Sequence, residues 1–148
     1  MNTAVVITVC QALREELSWI NDRYDEVQFK HSDFNKEVIA IAEVDGIKAG
    51  LGRLVTIDDR TLELGGMYVF NHYRGCGVAG KIIKFLLQHV KDNQQVFCIP
   101  FMALEPLYRK YGFVQVFNRD TIPKFILEKQ NWCDQTYEQK TLVLVLKH

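Results

Sequence analysis

Nowhere in this 148-residue chain is there the run of about 18 apolar residues that a membrane-crossing helix requires, and a membrane is not an expected partner. An excess of charge of either sign is missing too. Eighteen Lys and Arg balance eighteen Asp and Glu, and no dense basic block breaks the balance, which argues against a polyanion such as nucleic acid. Proline is scarce, with three residues, and no Pro/Gly/Ser linker, repeat or low-complexity tract divides the sequence. One domain over 1–148 is therefore the expectation, of a length that can bury a real core. Cys10, Cys76, Cys98 and Cys133 are widely spaced and contain no C-x-x-C pair. That spacing argues against a metal site and against a disulfide framework. The N-terminus lacks a charged segment followed by an apolar one, so a reduced, cytoplasmic protein is expected.

What the chain does have is glycine in one informative place. Tyr73-Arg74-Gly75-Cys76-Gly77-Val78-Ala79-Gly80 leads directly into Lys81-Ile82-Ile83-Lys84-Phe85-Leu86-Leu87. Apolar residues at 78, 82 and 86 and at 79, 83, 87 and 90 make a broad helical stripe, with Lys81, Lys84, Gln88 and Lys91 opposite. A glycine loop opening a helix presents uncovered N–H donors at the positive end of the helix dipole, a ready site for phosphate or pyrophosphate.

Periodicity places strands at 4–9, 38–44, 47–57, 61–69, 96–101, 113–117 and 142–146, with helices at 11–24, 78–91 and 103–111. The helix at 11–24 carries Leu13, Leu17, Ile20 and Tyr24 on one side. Asp45-Gly46 between two apolar runs is a strong hairpin signal, and Asp58-Asp59-Arg60 marks a second turn. The strand at 96–101 runs parallel to its neighbour if the helix before it is a right-handed crossover. Residues 118–140 are less legible, with a candidate helix over Ile122–Gln130 that places Pro123 early. The order makes an α/β domain with a mixed sheet.

Gly75-x-Gly77-x-x-Gly80 matches the dinucleotide-binding fingerprint in letters, but that fingerprint needs a strand running into the glycines and an acid about 20 residues on. Here Phe70–Arg74 intervenes and Pro100 stands where the acid should be. A P-loop fails because Gly80-Lys81-Ile82 lacks the hydroxyl residue after lysine. The segment instead resembles the acyl-CoA loop of the GNAT superfamily of N-acetyltransferases through Arg74, Gly77 and Ala79, after a strand reading Leu62-Glu63-Leu64-Gly65-Gly66-Met67-Tyr68-Val69. Ala103-Leu104-Glu105-Pro106-Leu107-Tyr108-Arg109-Lys110-Tyr111-Gly112-Phe113 resembles a second signature of that family. The resemblance covers about 38–117.

The resemblance implies a mostly antiparallel central sheet flanked by helices, with splayed central strands, and direct acetyl transfer from acetyl-CoA to a primary amine of a small molecule, peptide or protein. No metal is implied. Backbone N–H groups of Gly75, Cys76, Gly77, Val78, Ala79 and Gly80 would bind the CoA diphosphate. Arg74 adds charge there or is a solvated surface arginine, and Cys76 is a reactive thiol or a small tolerated residue. Met67, Tyr68 and Val69 would pair with the pantetheine amides, with the Val69 N–H as oxyanion donor. Gly65-Gly66 suits a strand bulge or close packing.

A lysine-like amine is neutral at pH 7 only on the order of one part in a thousand, so a base is needed. The resemblance makes Glu63 that base, acting through water; the other reading is an exposed or salt-bridged strand glutamate. His72 is an outside candidate. Tyr108 stands where the family places the acid for the CoA thiolate, while Tyr111 reads as a packing residue. The alternative function is a non-catalytic acyl-CoA-binding module of the same fold. The acceptor region would comprise 11–35 and 118–140, where Trp19, Tyr24, Phe29, Phe34, Trp132 and Tyr137 line a pocket or belong to the core. Dimers are common among similar proteins, so a homodimer is compatible with the sequence.

Overall fold

In the computed structural model, residues 5–147 are described; Ala4, the first residue of the expected strand at 4–9, lies outside them. The strands are β1 (Ile7–Gln11), β2 (Glu37–Val44), β3 (Ile47–Asp58), β4 (Thr61–Val69), β5 (Gln95–Cys98), β6 (Phe113–Gln115) and β7 (Leu144–Leu146). The α-helices are α1 (Leu17–Asp25), α2 (Val78–Leu87), α3 (Glu105–Arg109) and α4 (Lys124–Thr136). The sheet has the order β1-β2-β3-β4-β5-β7-β6. The β1–β2, β2–β3, β5–β7 and β6–β7 pairs are antiparallel and β4–β5 is parallel, so the mixed, mostly antiparallel sheet is as expected.

Contacts group the chain into two compact units, Met1–Val55 with Gly66–Val90, and Thr56–Gly65 with Lys91–His148. The first unit contains the β2–β3 hairpin. Its turn puts Asp45 at φ 49° and Gly46 at φ 83°, the two left-handed residues that a two-residue hairpin of this twist requires. Ala12, Ile20, Tyr24, Ile39, Ile41 and Leu51 form its buried cluster, with Leu17, Trp19, Phe29, Phe34, Tyr68 and Phe70 packed against it. Helix α2 buries Val78, Ile82, Ile83 and Leu86, while Lys81, Lys84, Gln88 and Lys91 are exposed as the periodicity predicts.

The N-terminal helix begins later than expected. Gln11 still pairs with Ala40, and the Ala12 N–H donates to the Ile39 carbonyl at 2.7 Å, so the sheet claims these residues first. A 3-10 turn at Arg14–Glu16 then precedes α1, and Leu13 is exposed, whereas Leu17 is half-buried against the cluster. In the second unit, Phe97, Ile122, Ile126 and Val143 form the core, and α4 resolves the poorly legible segment as a 13-residue helix with Pro123 at its N-cap.

Candidate active site

In the first unit, the loop after β4 is exposed from Arg74 through Gly77. Gly75 and Gly77 have φ of 81° and 88°, and a Cβ at either would meet nothing within 4 Å. Glycine is thus required there by the backbone, and the space beside it is open. Gly77 is also the N-cap of α2, and no side chain caps that end. The first-turn N–H groups therefore point toward the uncovered loop at the positive end of the helix dipole. Arg74 does not reach out alone; its Nε donates to the Val69 carbonyl at 3.3 Å and ties the loop to the end of β4. The Cys76 thiol is exposed, 4.0 Å from the Arg74 carbonyl.

The tail of β4, which carries Met67, Tyr68 and Val69, is fixed just upstream. Gly66 has φ 58°, and the Tyr24 hydroxyl donates to its carbonyl at 2.8 Å. A Cβ on Gly66 would lie 2.6 Å from the Tyr24 hydroxyl oxygen and 2.7 Å from Arg53 Nε, so the position needs both a left-handed backbone and no side chain. Arg53 is buried, stacks on the Tyr24 ring at 4.5 Å, donates to Ser32 Oγ at 2.7 Å and to the Lys30 carbonyl at 3.0 Å, and lies 3.9 Å from Glu37. Burial pushes the Tyr24 phenol far above its ordinary range, the nearby Arg53 opposing only in part. The Tyr68 hydroxyl donates to Glu26 at 2.9 Å; partial burial and that carboxylate raise its pKa. Tyr24 is therefore core, and Trp19, Phe29 and Phe34 pack on the same cluster.

In the second unit, four polar groups share one buried neighbourhood. The β4–β5 ladder pairs Glu63 with Phe97 and Leu64 with Cys98. Glu63, 2% exposed, accepts a hydrogen bond from Lys129 Nζ at 2.6 Å, so its carboxylate is ion-paired across 66 residues of sequence. Cys98 feels the charges of Glu63 and Lys129 and is hydrogen-bonded to the Tyr108 hydroxyl; burial dominates and raises its thiol well above 9. Tyr108 is 2% exposed, and burial, then Cys98, raises its phenol well above 10. Such a phenol is a proton donor and not a base near neutrality. Tyr111 is half-buried and His72 is exposed. Trp132 and Tyr137 stack edge-on at 5.7 Å, and Tyr137 on Phe101 at 5.5 Å.

The structure thus gathers Glu63 and Tyr108 around Cys98, and the loop residues around the α2 N-terminus. Sequence reasoning passed over Lys129 and Cys98. Lys129 had no local signal, since it meets Glu63 only through the fold. Cys98 had one, its place on the strand paired with the Glu63 strand. Among the described residues, no group of three or more His, Cys, Asp or Glu could hold a metal, and no helix is long and apolar enough to cross a membrane.

A family model described as an acetyltransferase (GNAT) domain matches residues 35–115. No curated protein matches the sequence significantly. Among solved structures, Arabidopsis thaliana Naa50 in complex with the bisubstrate analogue CoA-Ac-MVNAL is similar with a TM-score of 0.73 at 13% identity, covering 96% of this chain and 99% of that one. N-acetylglutamate synthase from Neisseria gonorrhoeae, complexed with coenzyme A and L-arginine, gives a TM-score of 0.71 at 13% identity over 95% of this chain, which spans only 33% of the synthase. A GNAT family acetyltransferase from Elizabethkingia anophelis with acetyl-CoA bound gives 0.63 at 16% identity, covering 99% of this chain and 100% of that one. At these identities the likeness speaks for the fold.

Proposed function

Because the chain belongs to the GNAT acetyltransferase family, we propose that it moves an acetyl group from acetyl-CoA directly to a primary amine. The observation that carries this reading is the loop at Arg74–Gly80. Two left-handed glycines with open space beside them lead into a helix end that no side chain caps. Those N–H groups grip the diphosphate of the donor, and the Met67–Val69 backbone holds the pantetheine arm, with the Val69 N–H facing the thioester oxygen as negative charge builds there.

Two side chains are assigned the proton chemistry. Glu63 takes the proton from the incoming ammonium, and Tyr108, whose phenol burial keeps protonated, gives one to the leaving thiolate. The deprotonated amine attacks the carbonyl before the thiolate departs, with no covalent enzyme intermediate. The acceptor is an amine-bearing small molecule, peptide or protein, and the cysteine usage suits a reduced, cytoplasmic setting.

One observation favours the other reading, a non-catalytic acyl-CoA-binding module: Glu63 already has a buried cationic partner. The separating experiment mixes the protein with acetyl-CoA and a panel of primary amines and follows free thiol. Thiol release that depends on both amine and Tyr108 supports the transferase. CoA binding without thiol release from any amine supports the module.

A further inference from the structure

The ion pair that complicates Glu63 is also the feature with the most chemistry left unassigned. Lys129 Nζ lies 2.6 Å from Glu63 Oε1, with the lysine side chain 18% exposed and the glutamate side chain 3%. A primary amine therefore already stands against the carboxylate that, on the reading above, deprotonates the acceptor. It lies on α4, and Cys98 links the pair electrostatically to Tyr108.

We propose that Lys129 is an internal acyl acceptor, acetylated on Nζ by the chain's own chemistry. The proposal rests on the transferase reading. Nζ passes one proton to Glu63 along the hydrogen bond that already joins them, then attacks the thioester carbonyl of acetyl-CoA. A C–N bond forms and the C–S bond breaks. The thiolate takes the Tyr108 proton, and Tyr108 regains one from the nitrogen. The products are an amide at Lys129, a neutral carboxylic acid at Glu63 and free CoA thiol.

The charge balance favours this site over an ordinary buried lysine. Neutralising one member of a buried ion pair leaves the other uncompensated, which is strongly unfavourable. Here the proton stays on Glu63, so both partners become neutral together and no unpaired charge is left in the interior. Lys124 on the same helix is the contrast: its side chain is 89% exposed and its carboxylate partner, Glu128, is 64% exposed. Acetylation there would depend on concentration and time but not on Glu63.

The test incubates the purified full chain with acetyl-CoA and no added amine, then maps modification by intact mass and peptide sequencing. The expected result is one acetyl group per chain at Lys129, formed ahead of Lys124, with Glu63→Gln slowing it about a hundredfold or more. Lys129→Arg, which keeps a cation beside Glu63, is expected to lose that acetyl group while remaining folded by circular dichroism. It provides the check should Glu63→Gln fail to fold. The proposal is overturned if folded protein that releases thiol with external amines leaves Lys129 unmodified, or if acetylation spreads over exposed lysines regardless of Glu63. If the protein releases no thiol with any amine and Lys129 stays unmodified, the transferase reading fails and the proposal with it.

Discussion

Replacing Gly66 by alanine strains the strand that carries Met67–Val69, and the structure fixes the size of the effect. Three costs add. An alanine at φ 58° costs about 1 kcal/mol in backbone conformation. Its Cβ would sit 2.6 Å from the Tyr24 hydroxyl oxygen and 2.7 Å from Arg53 Nε. Both side chains are buried, Tyr24 completely, so relief means repacking at about 1–3 kcal/mol. Displacing Tyr24 also sacrifices its 2.8 Å hydrogen bond to the Gly66 carbonyl, worth about 1 kcal/mol. The total is about 3–5 kcal/mol, which for a chain of this length lowers Tm by roughly 12–20 °C. Gly46→Ala is the matched control: φ is 83°, but nothing lies within 4 Å of the added Cβ. It pays only the backbone term, about 1 kcal/mol, or roughly 4 °C. Thermal unfolding of the two variants measures the difference directly. Equal drops for both would refute the claim that Tyr24 and Arg53 clamp the strand at Gly66.

Lys129→Met leaves Glu63 buried without its cation and is expected to destabilise the fold by about 3–5 kcal/mol in urea titrations, far more than Lys124→Met, whose pair is exposed. At mildly alkaline pH, native protein treated with an alkylating reagent should label Cys10 and Cys76, which are exposed, and spare Cys98 and Cys133, which are buried; unfolded protein should label all four. Tyr24 and Tyr108 have phenols raised above their unfolded value near 10, so the stability they contribute is complete below that pH and is lost as pH climbs through 10 toward the folded values. A tyrosinate absorbance titration should therefore show these two of the six tyrosines ionising only together with unfolding.

How much of this was legible in the sequence depends on how local each signal is. The Asp45-Gly46 hairpin and the glycine loop feeding α2 were readable because turn geometry and helical spacing are carried by adjacent residues. The start of α1 was not, because pairing of Gln11 with Ala40 is a long-range bond that overrides helical spacing at Leu13. The same holds for the site. Glu63 and Tyr108 were found through motifs, whereas Lys129 becomes visible only when the fold brings α4 against β4. Aromatic residues such as Tyr24 offered two readings, and only burial separates a core ring from a pocket ring. Gly66 stood out as one of a glycine pair, but its left-handed backbone and the Tyr24 bond to its carbonyl belong to the folded chain.

Main-chain amides at Gly75–Gly80 holding a diphosphate are the foundation of the proposed activity. Calorimetric titration with CoA and with pantetheine, which shares the arm but lacks the diphosphate, tests that most directly, on the native chain and on Gly77→Val. The prediction is that CoA binds the native chain at least about tenfold tighter than pantetheine, and that Gly77→Val removes most of that advantage while the protein stays folded. Equal affinity for CoA and pantetheine, or full CoA affinity in the folded Gly77→Val variant, would contradict it.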